Sequence, residues 1–150
     1  MAKSKKVIKK EMVIGRKIPT TYENPNAYFQ KKPTWSFQYL DNGYKKWGFI
    51  HANDINESII SKLKAFEGMT WGEIMQISGG RNRGTNSHFE NISDLIPEAQ
   101  KRWKELKLDE YDRIFSLRLA GTQRLYGILE NGILKIVWHD PIHEIYSINR

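Results

Sequence analysis

The chain has 150 residues, 39% hydrophobic and 27% charged, with no cysteine and a formal charge of +7. That length holds one sizeable core, the lack of thiols excludes disulfides and thiolate metal sites, and no apolar run is long enough for a membrane span or a signal-peptide core. A single cytoplasmic α+β domain with no membrane partner is expected.

The charge is unevenly placed. Lys3, Lys5, Lys6, Lys9, Lys10, Arg16 and Lys17 against Glu11 put +6 in residues 1–17 and leave +1 for all that follows. Such an arm attracts polyphosphate without reading sequence, or simply solubilises a terminus. Residues 19–33, rich in Asn, Thr and Pro, extend the arm as an irregular segment with one short helical turn. The reading is therefore a basic, largely irregular arm over residues 1–33 and one domain over residues 34–150.

Next, WSFQYL and YKKWGFIH flank Asp41-Asn42-Gly43. Treated as a three-residue loop, this predicts an N-terminal β-hairpin with Trp35 beside Phe49 and Phe37 beside Trp47. Such an aromatic ladder packs into a core or stacks bases. The segment Asp54-Ile55-Asn56-Glu57 has capping-box spacing, and Ile55, Ile59, Leu63 and Phe66 follow at helical intervals up to Gly68. Thr70-Trp71-Gly72-Glu73 repeats the capping box and starts a short helix that Gly79-Gly80 stops.

The stretch GGRNRGTNSHFEN has no periodicity and reads as a mobile loop. Arg81, Arg83 and His88 could ride on it as a charged lid or be solvated. It lacks the GK[ST] end of a phosphate-binding P-loop. From Ser93, helix-spaced Leu95, Ala99, Trp103 and Leu106, with Pro97 in the first turn, predict a third helix ending near Leu108.

Residues 113–139 read as a three-stranded antiparallel meander. Asn131-Gly132 suits a two-residue type I′ turn, which aligns Leu129 with Leu134, Leu125 with Trp138 and Arg124 with His139. A three-residue loop at Ala120-Gly121-Thr122 puts Arg118 opposite Arg124. Strict alternation then sends Phe115, Leu117, Leu119, Leu125, Leu129, Leu134, Ile136 and Trp138 to one face. Ser116, Arg118, Arg124, Tyr126, Lys135 and His139 go to the other. The whole is an α+β fold, an antiparallel sheet whose C-terminal meander packs on two or three helices.

The polar face carries the candidate site. Arg118, Arg124 and His139 form a cationic row where the third strand ends at Asp140-Pro141, with His143 and Tyr146 close by. Two adjacent guanidinium groups call for an anion, which is either a phosphate or a carboxylate such as Asp112, Asp140 or Glu144. The spacing His139-x-x-x-His143 spans a proline and does not fit a helical zinc motif, and no serine sits in a nucleophile elbow. What remains is acid–base chemistry on RNA, whose 2′-hydroxyl is its own nucleophile. Histidine serves as acid or base and arginine stabilises the phosphate, with no metal or other cofactor needed.

The string FSLRLAGTQRLYGILENGILKIVWH resembles the C-terminal half of the RelE-like and YoeB-like toxins, ribosome-dependent mRNA endonucleases of bacterial toxin–antitoxin systems. Ser116, Arg118, Arg124, Leu125, Tyr126, His143 and Tyr146 carry the likeness, which runs over residues 112–146. It implies a RelE-like fold, mRNA on the ribosome as substrate, and a small antitoxin protein as partner. It also implies that Arg124 stabilises the phosphate and that His143 or His139, with Tyr146, supplies the terminal acid or base; with Arg118 of the cationic row, these are the candidate catalytic residues. The related ParE-like toxins act on DNA gyrase instead. Arg81, Arg83, His88, Tyr126 and Lys135 are the candidate nucleic-acid contacts. A non-catalytic nucleic-acid- or protein-binding module of phage or mobile-element type would use the same face.

Overall fold

Turn chemistry sets the centre of the fold. The computed structural model describes residues 27–49, 59–77 and 87–146. Its five strands are β1 (Thr34–Ser36), β2 (His88–Asn91), β3 (Arg113–Arg118), β4 (Arg124–Glu130) and β5 (Ile133–Asp140). Its helices are α1 (Ser61–Phe66), α2 (Trp71–Gln76) and α3 (Pro97–Glu105). The β4–β5 turn has Asn131 at φ 53° and Gly132 at φ 84°, the two left-handed residues of a type I′ turn. Leu129 faces Leu134 as expected. Between β3 and β4 the three-residue loop closes with Leu119 N–H on Gln123 O at 3.0 Å and Gln123 N–H on Ala120 O at 2.9 Å, so Arg118 does face Arg124.

The strand order is β1-β5-β4-β3-β2, and β1 runs parallel to β5 while the other pairs are antiparallel. The fold is α+β, but the sheet is mixed and open, which corrects the fully antiparallel expectation. Two further corrections account for the difference. The predicted hairpin over residues 35–51 is absent from its described part. Only Thr34–Ser36 is extended, and it pairs with Ile133–Lys135. Asp41 is no solvent-facing turn residue, being 3% exposed and bound by Arg102 and the Trp138 indole. That anchorage pulls the segment across the sheet, leaving Trp47 in one core, Phe49 in the other and Phe37 in solvent. The second correction concerns the glycine-rich loop: its last four residues, His88–Asn91, pair with β3 as the edge strand β2.

A bulge separates expected from observed register in the meander. Tyr126 pairs with Trp138 and Gly127 with Ile136, which leaves Val137 as the extra residue on β5. Beyond it every side chain changes face. Trp138 therefore joins Tyr126 instead of Leu125, and Arg124 faces Asp140, not His139. Gly127 permits this approach, since a Cβ there would lie 2.3 Å from the Lys135 carbonyl oxygen.

Both faces of the sheet are packed. On the first, Phe115, Leu117, Leu125, Leu134 and Ile136 meet Leu63 and Phe66 of α1 and Trp71 and Ile74 of α2. α2 starts as the sequence implies: Thr70 Oγ1 accepts from Glu73 N–H at 3.2 Å, and Glu73 Oε1 accepts from Thr70 N–H at 2.9 Å. Its Trp71 indole donates to Gly132 O at 2.8 Å, tying the helix to the β4–β5 turn. On the second face, Ile114, Tyr126, Val137 and Trp138 meet Ala99 and Trp103 of α3 and the aromatic Trp47. Trp138 is the centre of this core, 5.2 Å from the Trp47 ring and 5.6 Å from the Trp103 ring. The face expected to be open and cationic is thus covered along most of its length, and its polar residues emerge at one end. No helix among the described residues is long and apolar enough to cross a membrane.

Candidate active site

Alternation along β2, β3 and β4 sends His88, Glu90, Ser116, Arg118, Arg124 and Tyr126 to the same face, and the bulge adds Asp140. His88 is level with Ser116, which is level with Tyr126. The row Arg118, Arg124, Asp140 lies one step nearer the sheet end. Most of these groups are buried. Arg124 is 2% exposed, Asp140 and Tyr126 are fully buried, and Ser116 is 2% exposed.

Arg124 is held from its own loop. One Nη1 donates to Gly121 O at 2.9 Å and to Gln123 O at 3.0 Å, and Gly121 adopts φ +56° to present its carbonyl. Among the described residues no carboxylate forms an ion pair with Arg124 or Arg118. Burial and then the Arg118 charge press the Arg124 pKa down, while Tyr126 and Asp140 oppose them. The Arg124 guanidinium is therefore a fixed positive charge tied to its own loop. Arg118 is half-buried, with Nε unpartnered, and it lines a small cleft with Phe66, Ile74, Ile77 and Ser87. Its backbone N–H donates to Ser87 Oγ at 2.9 Å.

Asp140 organises the chain that follows it. Its Oδ2 accepts from Ile145 N–H at 2.8 Å. Burial holds its carboxyl above the ordinary carboxylate range, against the pull of the Ile145 and Glu144 amides. The other oxygen, Oδ1, is buried and unpartnered. Neither Asp112, Asp140 nor Glu144 forms an ion pair with the arginines, although Asp140 faces Arg124 across the strands and its charge favours the guanidinium. Glu144 instead accepts from the Trp47 indole at 2.9 Å. The Tyr126 hydroxyl is also buried, and burial followed by the nearby Asp140 carboxyl raises its pKa well above the ordinary phenol. Ser116, level with it on β3, opposes that rise.

The turn after β5 brings His143 over this end. It is pinned by Asp140 through Ile145, by Thr122 Oγ1 donating to Pro141 O at 2.7 Å, and by Ile96 N–H donating to Ile145 O at 3.0 Å. His143 itself sits at φ 58°, a left-handed conformation that costs a non-glycine residue about 1 kcal/mol. The half-buried imidazole lies within range of the charges of Arg124, Glu90 and His88. Burial and then Arg124 lower its pKa below the ordinary 6.5, so the neutral ring is favoured at neutral pH.

His88 and Glu90 were not seen as a pair in the sequence. On β2 they share the site face, and His88 Nε2 contacts Glu90 Oε2 directly. The histidine side chain is 32% exposed and the carboxylate 9%. Their period-2 spacing around Phe89, whose ring meets Phe115 of the first core edge-to-face at 5.1 Å, was the available signal. Four residues at the end of a Gly- and Asn-rich stretch were too few to announce a strand.

The remaining candidates lie elsewhere. The bulge turns His139 to the first face, where Nε2 is 3.0 Å from Gln123 Oε1 and the ring is 6.0 Å from Phe49. It does not join Arg124, which corrects the predicted cationic row. Tyr126 has no exposed ring for a base to stack on. Lys135 pairs with Glu130 at 2.9 Å, roughly 15 Å down β5 from Asp140. Tyr146 is half-buried against the second core. Arg81 and Arg83, like the capping box at Asp54, are outside the described residues. Among the described residues no group of three or more His, Asp or Glu side chains is arranged to hold a metal ion.

Compared with known proteins, the chain matches no family model, no curated protein and no solved structure.

Proposed function

We propose that the chain is a toxin-type endoribonuclease that cuts mRNA on the ribosome by acid–base chemistry, without a metal, and that a small antitoxin protein covers its cationic end. The observation that carries this reading is that His143 lies within range of the charge of a buried arginine that has no carboxylate ion-paired to it among the described residues. A neutral imidazole takes the proton from a ribose 2′-hydroxyl. The oxygen then attacks the adjacent phosphorus, and the growing negative charge forms above Arg124 and beside Arg118. A fixed cation needs no reorganisation at that moment, which is why a rigidly tethered guanidinium serves better than a mobile one.

The test is mapping of new mRNA 5′ ends on translating ribosomes with wild type and Arg124→Ala. Wild type is expected to generate discrete ends and arrest growth. Arg124→Ala is expected to lose about 10²–10³ in cleavage, the scale of one oxyanion-stabilising group. No new ends from wild type, with growth unaffected, would remove the reading. The same face serving as a non-catalytic binding surface would then be the remaining interpretation.

A further inference from the structure

We propose that His88, positioned by Glu90, is the general acid of this site and delivers a proton to the leaving 5′-oxygen while His143 acts as the base. This rests on the ribonuclease reading and extends it to a residue pair on a different strand. The geometry gives the reasons. Glu90 is the deeper member, 9% exposed against 32% for His88, so the carboxylate is a fixed anchor and the ring is the accessible end. An imidazole in contact with a carboxylate is favoured in its charged, proton-donating form. His143 has the opposite surroundings: it is half-buried and near Arg124. A ring that rests on a carboxylate and a ring that lies within range of an arginine are the contrasting surroundings an acid–base pair requires.

The step balances. His143 gains the 2′-hydroxyl proton, and the 2′-oxygen forms a bond to phosphorus. The bond from phosphorus to the 5′-oxygen breaks with its electron pair on that oxygen, which takes the proton of His88. The products are a 2′,3′-cyclic phosphate and a 5′-hydroxyl, and water restores both rings. Among the described residues, the other charged or titratable groups that the strands send to this face are Arg118 on β3, Arg124, Tyr126 and Glu130 on β4, and Lys135 and Asp140 on β5, with Glu130 and Lys135 paired to each other at the far end. Tyr126 and Asp140 are fully buried and Arg124 nearly so, whereas His88 keeps a partly exposed ring on the sheet's edge strand.

The experiment uses full-length protein on ribosomes programmed with a synthetic mRNA, in which the scissile 5′-oxygen is either normal or replaced by sulfur at the position wild type cuts. A thiolate leaves without a proton. His88→Ala is expected to fall about 10²–10⁴-fold on the normal linkage and to approach the wild-type rate on the sulfur linkage. Glu90→Gln should show a smaller loss with the same rescue, the mark of a positioning residue, and His143→Ala should be slow on both. If His88→Ala matches wild type on the normal linkage, or is equally slow on both, the assignment is overturned. If wild type cuts neither RNA, the ribonuclease reading itself fails, and the acid role goes with it.

Discussion

His143 is the side chain on which the proposed chemistry turns. Its pKa is depressed by burial first and by the Arg124 charge second, so the ring stays neutral to lower pH than a free histidine. A base works in its neutral form. The acidic limb of the pH–rate profile should therefore have its midpoint below 6.5, and Arg124→Gln, which removes one cause of the depression, should move that midpoint upward while lowering the plateau. A midpoint unmoved by Arg124→Gln would show that the limb belongs to another group. The left-handed backbone at His143 was not legible in the sequence, because Asp140-Pro141 announces a turn but not which residue will carry the positive φ. The Arg118–Arg124 pairing was legible, since a three-residue loop at Ala120-Gly121-Thr122 sets the two arginines opposite each other.

At the level of elements, the β5 bulge decides which residues meet. The type I′ turn sets the register from Leu134 through Ile136, and the extra Val137 resets it for Trp138, His139 and Asp140. Alternation alone places Trp138 among the leucines. A bulge has no compositional signature here beyond Gly127, whose missing side chain is needed because a Cβ would fall 2.3 Å from the Lys135 carbonyl. Gly127→Ala should destabilise the protein by about 2–3 kcal/mol through overpacking against backbone, read as a lower midpoint in urea unfolding. It should also perturb the Trp138 indole environment. An Ala variant as stable as wild type would mean the strands do not approach this closely. β2 went unread for a different reason: it is four residues long, and its pairing comes from β3 and not from its own propensity.

For the molecule as a whole, the sheet with two packed faces replaces the picture of one core behind an exposed polar row. The segment after β1 is drawn over the second core by a polar anchor. Arg102 Nε and Nη2 donate to Asp41 Oδ2 and Oδ1 at 2.9 and 2.8 Å, and the Trp138 indole donates to Oδ2 at 2.9 Å. Burial raises the Asp41 pKa, but these bonds outweigh it and hold the carboxyl below its ordinary 3.8. A carboxylate with a depressed folded pKa stabilises above its unfolded value and loses that contribution as pH falls through the folded one. Asp41→Ala should cost about 3 kcal/mol at neutral pH by stranding Arg102 and the indole, and the cost should shrink in acid below pH 3.8. Chemical denaturation of both proteins across that range checks the sign, and a cost that grows in acid would contradict it. In the sequence Asp41-Asn42-Gly43 looked like a hairpin tip, because nothing local distinguishes a solvated aspartate from one whose partner lies 61 residues away.

The central claim is that these groups act on a ribose 2′-hydroxyl, and the chemistry of the cut end tests it most directly. The upstream fragment released on translating ribosomes should carry a 2′,3′-cyclic phosphate or the 3′-phosphate that follows from it. A single 2′-deoxy substitution at the cut should abolish cleavage by wild type. An upstream fragment ending in a 3′-hydroxyl, or cleavage that survives the 2′-deoxy substitution, would contradict the account.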